Sequence, residues 1–331
     1  MKQMIVIILA TMSVAANSSA GDSYPEYGVY EYVVQKSTLD FEAACAALEN
    51  TTDADFQVLG STEVPGPKDC GYRSRVILLF DSAYSARLLE ANRQTGPYAA
   101  VDRVNVFEAE DGVHVSIVNP LSINRTILMD DTLFVAMSEK HRRELRELIA
   151  EMVPGESSEK QYGQARDKGY IGRTFGIMAG GKFIDKLDEI VKLTDADFSD
   201  VVSKLKVGLA ESAGKWDMQL VYSVALPEAD IHVFGSNGTP MATKSFDIVK
   251  AGSDKDRKKL ACPGLAHAGG YPIEIVVSRD DEGAVTVRLC EIMFRMKMYF
   301  EDAGTWAFAK NMGMPLSIQD ELVKQVEAAL D

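Results

Sequence analysis

The sequence predicts an α+β fold of two related domains, each an antiparallel sheet with helices packed on one face. Three observations predict it. A few strand patterns alternate with a few helical ones. Several strands join through tight acidic-glycine turns, the connection that antiparallel pairing uses. The order of elements is written twice along the 331 residues. The expected organisation is a leader over 1–20, a first domain over 21–153, a linker over 154–181 and a second domain over 182–331.

The leader comes first. Met1-Lys2-Gln3 is a short basic start, residues 4–16 are uncharged and mostly apolar, and Ser18 and Ala20 are small residues before Gly21. This is the layout of a secretory signal peptide cleaved after Ala20. The apolar run falls short of the ~20 residues that span a bilayer. The expected location is therefore periplasmic or secreted, with no membrane span in the mature chain and no cysteine near the cleavage site to carry a lipid.

In the first domain, 30–35 reads as a strand. Residues 38–50 read as a helix, with Thr38 as N-cap and Phe41, Ala44, Cys45 and Leu48 along one face. Strands follow over 56–64, ending at Pro65, and over 72–80. A helix over 82–94 has Ser82 as its expected N-cap. Strands over 101–109 and 113–118 flank the turn Glu110-Asp111-Gly112, a strong hairpin signal. A charged helix over 132–153 closes the unit, and the Gly- and Ser-containing stretch 154–164 reads as linker.

In the second domain, Phe183, Ile184, Leu187, Ile190 and Val191 follow a helical period and predict a helix over 182–193. Another helix is expected over 197–212. Strands are expected over 216–226, 231–234 and 244–250, then a short charged helix over 253–260. A hairpin over 272–278 and 284–289 turns at Asp281-Glu282-Gly283, and 292–300 continues as strand. Helices over 305–311 and 317–330 end the chain, the last with Ser317 and Asp320 or Glu321 in a capping pattern.

Residues 72–120, with Ala86, Leu88, Leu89, Arg103, Val104, Val106, Glu108, Asp111, Gly112, Val113, Val115, Asn119 and Pro120, resemble the bacterial and archaeal family called domain of unknown function 302. That family occurs as tandem copies. A looser second copy keeps PIEIVV, Gly283 and VTVRL, but has Glu291-Ile292 where the first has Asn119-Pro120. The resemblance covers about half of each domain, implies a fold and carries no catalytic residue.

Composition limits the function. A formal charge of −14, or −15 once Lys2 leaves with the leader, repels phosphate backbones, so nucleic acid is not an expected partner. Four cysteines in an oxidising compartment suggest one or two disulfides. Cys45 and Cys70 lie in one half, Cys262 and Cys290 in the other, so Cys45–Cys70 and Cys262–Cys290 are the expected pairs among three complete pairings. Alternatively Cys45 and Cys290 are buried thiols.

Candidate chemistry is sparse. Five methionines lie between 293 and 314, and Cys262-Pro-Gly-Leu-Ala-His267 stands upstream. His267 with Met296, Met298, Met312 and Met314 offers ligands for copper or haem, with Met296 and Met298 sharing a face if their segment is a strand. The competing reading is core packing against Phe294, Tyr299, Phe300 and Trp306. The stretch 176–183 misses a phosphate-binding loop because Phe183 supplies no hydroxyl for a metal. His114 and His232 read as structural or surface residues, and His141, among Lys140, Arg142 and Arg143, as a solvated helix residue. Glu274 and Glu291 are the one carboxylate pair that two strands could bring together, and acidic pairs at 130–131 and 301–302 read as helix flanks. With no catalytic motif, the expected function is non-catalytic binding of a small ligand or protein partner in a groove between the domains. The alternative is a soft-metal or haem protein.

Overall fold

The computed structural model describes residues 25–66, 69–129, 134–172, 179–211, 214–226, 229–252, 261–262, 264–304 and 309–331. The expected leader, the acidic pair at 130–131, the helix over 253–260 and most of that over 305–311 lie outside the described residues. Two antiparallel sheets with helices make the fold α+β. No helix among the described residues is long and apolar enough to cross a membrane.

The first sheet holds β1 (Tyr27–Gln35), β2 (Gln57–Glu63), β3 (Ser74–Phe80), β4 (Val101–Ala109) and β5 (Gly112–Val118) in the order β2-β3-β4-β5-β1. Its helices are α1 (Phe41–Glu49), α2 (Ser82–Ala91), α3 (Pro120–Ile127) and α4 (Phe134–Met152). Asp40 and Asp81, rather than Thr38 and Ser82, cap α1 and α2: in each, the carboxylate just before the helix accepts the free N–H groups of the first turn. The expected linker is structured. β6 (Glu156–Ser157) and β7 (Gln161–Arg166) both pair antiparallel with the outer edge of β1.

The second sheet holds β8 (Leu187–Leu193), β9 (Gln219–Ala225), β10 (Ile231–Asn237), β11 (Ile273–Arg279) and β12 (Val285–Cys290) in the order β9-β10-β11-β12-β8. Its helices are α5 (Phe198–Gly208), α6 (Thr239–Gly252), α7 (Ile292–Phe300) and α8 (Gly313–Leu330). Strand for strand, this is the order of the first sheet.

Three expected elements change type. Residues 183–186 form a 3-10 turn that leads into β8, not a helix. A bulge between Val191 and Glu189 shifts the register, so Leu187, Ile190 and Val191 acquire an i, i+3, i+4 spacing that imitates a helix. Residues 244–250 lie within α6, and 292–300 form α7. In both, the few apolar residues, such as Phe246, Ile248 and Val249, have no period that separates strand from helix.

Helices α1 and α4 cover one face of the first sheet, burying Phe41, Leu48, Val104, Val106, Leu145 and Ile149. Helices α5 and α8 pack together over the second, with Val201, Leu205, Ile318 and Leu322 buried. The opposite faces meet through two reciprocal 3-10 turns. The turn Leu265–Gly270 lies on β3, β4 and β5, and the turn Gly96–Ala99 lies on β10 and β11. Asn105 donates to the carbonyl of Leu265 at 2.9 Å, and Tyr162 donates to Ala266 at 2.6 Å. The expected open groove between the halves is occupied by these turns.

An ionic cluster sits at this junction. The strand registers, counted from the starts of the helices that follow β3 and β10, align Arg103 on β4 with Glu274 on β11. These equivalent positions bond to each other: Arg103 Nη2 lies 2.7 Å from Glu274 Oε1. Arg295 of α7 donates from Nε to Glu274 Oε2 at 2.8 Å and from Nη1 to the carbonyl of Gly270 at 2.7 Å. Both guanidinium groups lie over the Tyr299 ring, at 4.8 and 4.7 Å. Burial pushes the Glu274 carboxyl up, but Arg103 and then Arg295 outweigh it and hold the group below the usual range.

The disulfide joins Cys70, in the loop between β2 and β3, to Cys262, just before the Leu265–Gly270 turn. It therefore ties the halves together instead of closing a loop within either. Cys45 and Cys290 are buried thiols, and burial pushes that of Cys45 up to about 12.

Two stability measurements follow from this packing. Glu274→Gln leaves two buried guanidinium groups without a carboxylate and should cost about 3–5 kcal/mol in urea unfolding. The wild-type contribution of Glu274 is present above the ordinary carboxylate range and fades as pH falls below it. The double change Cys70→Ala with Cys262→Ala should lower stability by about 2–4 kcal/mol and remove the sensitivity of the unfolding midpoint to reductant.

Candidate functional site

Three elements of the first half bring two carboxylates to one imidazole. Asp81 closes the N-terminus of α2, where its Oδ1 accepts from the N–H groups of Ala83 at 2.8 Å and Tyr84 at 3.0 Å. Asp102 is the second residue of β4 and shares its helix-facing side with Val104 and Val106. Helix α4 supplies His141 from the buried stripe Phe134, Ser138, His141, Leu145 and Leu148, spaced at four, three, four and three residues.

His141 is 2% exposed. Its Nε2 lies 2.9 and 3.0 Å from the two oxygens of Asp102, and its Nδ1 lies 3.5 Å from Asp81 Oδ2. The ring stacks on Tyr84 with centroids 3.5 Å apart and planes within 6°. The Tyr84 hydroxyl accepts from Asn124, which also donates to Ser138 at 2.7 Å. Burial alone would push the imidazole down; the charge and hydrogen bond of Asp102, then those of Asp81, reverse this and raise it to about 9. Burial likewise works against the Asp81 carboxylate, but His141 and the two backbone N–H groups hold it below its usual range. The stable form near neutral pH is an imidazolium with Nε2–H donating to Asp102 and Nδ1–H directed at Asp81.

A shallow recess opens beside this group, lined by Asp81, Tyr84, Arg87, Lys140, His141 and Glu144. Lys140 and Glu144 pair at 2.6 Å on its rim. A second, smaller recess is lined by Tyr84, Asp102, Arg103 and Asn124. The floor thus offers a buried cation between carboxylates, and the rim carries both signs of charge. A protonated imidazole with both nitrogens directed at carboxylates is a hydrogen-bond donor, not a general base.

The second half closes the corresponding place differently. The starts of α2 and α6 align Asp81 with Gly238 and Tyr84 with Met241. The strand registers align Asp102 with Ile273, and the caps of α3 and α7 align Asn124 with Met296. Asp81, Tyr84, Asp102 and Asn124 thus each meet a glycine or an apolar residue in the second half, whereas Arg87 meets Lys244.

His141 is thus buried in a charged site rather than solvated on a helix face. The basic residues on either side of it imitate a solvated surface; the stripe of α4 is the signal that places it inside. Glu274 and Glu291 serve separate ion pairs, Glu291 meeting Lys186 at 3.1 Å. His267 is buried in the inter-sheet turn with Nε2 3.0 Å from Asp302. His114 pairs with Asp111 at 2.9 Å, and His232 meets Ser223 at 2.7 Å, burial pushing its imidazole down to about 4. Met296 and Met314 line one recess with Phe300 and Ser245. Because their segment is helical, Met296 and Met298 lie about 200° apart around it instead of on one strand face. Met298 and Met314 are buried and Met312 is half-buried. Among the described residues no three His, Cys, Asp or Glu side chains converge as metal ligands. Of the stretch 176–183, residues 176–178 lie outside the described residues, and Phe183 is buried.

No protein-family model and no curated protein matches the chain. Among solved structures, the chain is similar to the crystal structure of the uncharacterized conserved protein DUF302 from Bacillus stearothermophilus. The two share 14% identity over 38% of this chain and 98% of that one, with a TM-score of 0.33.

The raised imidazole makes stability depend on pH. Its contribution, on the order of 3 kcal/mol, is complete below about pH 6.5 and is lost as pH rises through about 9. Unfolding free energies measured from pH 6 to 10 should fall accordingly. In His141→Gln that alkaline slope should disappear.

Proposed function

We propose that this chain is an exported, non-catalytic binding protein that holds a small polar molecule in the recess beside His141. The single observation that carries this reading is the buried Asp81–His141–Asp102 group, placed beside an open recess in one half while the other half has Gly238 and Ile273 at the places of the two aspartates. Buried charge is costly, and well-packed apolar residues serve a core as well or better. Two aspartates kept at positions that the other half fills with Gly238 and Ile273 have a use beyond packing. Arg87 and Lys140 suit an anionic group of the ligand, and Asp81 and Glu144 a cationic one, so a small zwitterion fits the lining. The absence of a catalytic motif in the sequence supports binding without catalysis.

The two halves are read as sister copies of one ancestral module, related to the domain of unknown function 302 family. The shared strand order supports this. Export is supported by the leader sequence and by the Cys70–Cys262 disulfide, which suits an oxidising compartment.

Native mass spectrometry of the protein purified from whole cells of its native host tests these readings together. The expected result is a chain without residues 1–20 carrying a small bound mass, or one that takes up added glycine in a titration. Asp81→Asn and His141→Gln should each weaken that binding at least tenfold while the fold persists by circular dichroism. A chain that neither carries a small molecule nor binds glycine refutes the site. An unprocessed chain refutes export.

A further inference from the structure

Strands β1 and β8 hold the same place at the end of their sheets, but their outer edges differ. β1 receives β6 and β7 along that edge. β8 pairs with β12 on one side, and among the described residues no strand pairs with its other side. An edge of this kind presents unpaired N–H and C=O groups to a further strand. The first sheet demonstrates that this architecture accommodates an antiparallel strand there, beneath the same arrangement of helices.

The side chains of β8 point to one occupant. Lys192 lies opposite Thr286 and Glu189 opposite Arg288, so both stand on the Thr286–Arg288 face. Residues three apart share a face here because of the bulge between them. Both are exposed, at 38% and 39% of their side-chain surface. Val191 and Asp188 lie opposite Val287 and Leu289, on the other face. A second β8, running antiparallel with Ile190 opposite Val191, sets each Glu189 across from a Lys192 on the same face and pairs the apolar residues between them. A lone edge lysine normally discourages pairing; a glutamate at this spacing makes the edge complementary to itself.

We propose that two copies of this chain associate through their β8 edges, joining the two five-stranded sheets into one continuous sheet of ten strands. Sedimentation velocity of the full mature chain from about 1 to 300 µM should show a reversible dimer. Lys192→Glu and Glu189→Lys should each weaken it about tenfold or more by placing like charges opposite. The double variant E189K/K192E should restore it. Within one chain the double change sets like charge beside both Arg288 and Asp280, which is worse than either single change, so recovery reports the contact between copies. Amide exchange of wild-type residues 187–193 should also slow with concentration. A chain that stays monomeric at 300 µM, a dimer indifferent to the single reversals, or a double variant weaker than both singles overturns the proposal. So does a dimer that leaves exchange over 187–193 unchanged, which would place the contact elsewhere.

Discussion

Glu274 is the constraint on which the rest of the structure depends. One carboxylate, 5% exposed, pairs with both Arg103 from the first half and Arg295 from α7. None of these side chains can be left alone in so dry a place, because an unpaired buried charge costs several kcal/mol. The halves must therefore meet in one register. That register seats the turn Leu265–Gly270 on β3 to β5 and brings Tyr30 within 3.1 Å of the Tyr299 carbonyl. The remaining junction follows from it. Arg166 at the end of β7 donates to the carbonyls of Met298 and Lys297, and Cys70 reaches Cys262.

The two halves show what repetition of an architecture does and does not preserve. Strand order, the hairpins and the places of the helices coincide, because those features follow from which face of each strand must be buried. Side-chain chemistry at equivalent positions does not. Arg103 and Glu274 have opposite charges and attract each other at the junction. Asp81, Asp102 and Asn124 face Gly238, Ile273 and Met296 as counterparts. The first departure locks the two sheets together. The second leaves a charged recess in one half, where the imidazolium of His141 satisfies two carboxylates that would otherwise repel each other.

Much of the secondary structure was legible because it rests on local signals. The Asp111-Gly112 and Glu282-Gly283 turns marked both hairpins, and the apolar run over 74–80 marked β3. Helix α1 announced itself through Phe41, Ala44, Cys45 and Leu48. Elsewhere a signal was local but ambiguous. The bulge in β8 turned a period of two into an apparent helical one, and the run over 292–300, apolar apart from Arg295 and Lys297, fitted strand and helix equally well. The candidate site was legible in one of its parts: the stripe of α4 contains His141, although its charged neighbours obscured it. Asp81 could be suspected as a cap. Nothing local linked Asp102 to either.

The sequence by itself determined the fold class, the two acidic-glycine hairpins and the strongly acidic character of the chain. Periodicity, turn chemistry and composition act over a few residues and need no knowledge of what lies across the core. Tertiary structure alone decided that Cys70 reaches Cys262, that Glu274 serves Arg103 and Arg295, and that Asp81 and Asp102 share His141. These contacts join residues from 21 to 192 positions apart in the chain. Their partners are set by strand register and sheet packing, and neither leaves a trace in the neighbouring residues.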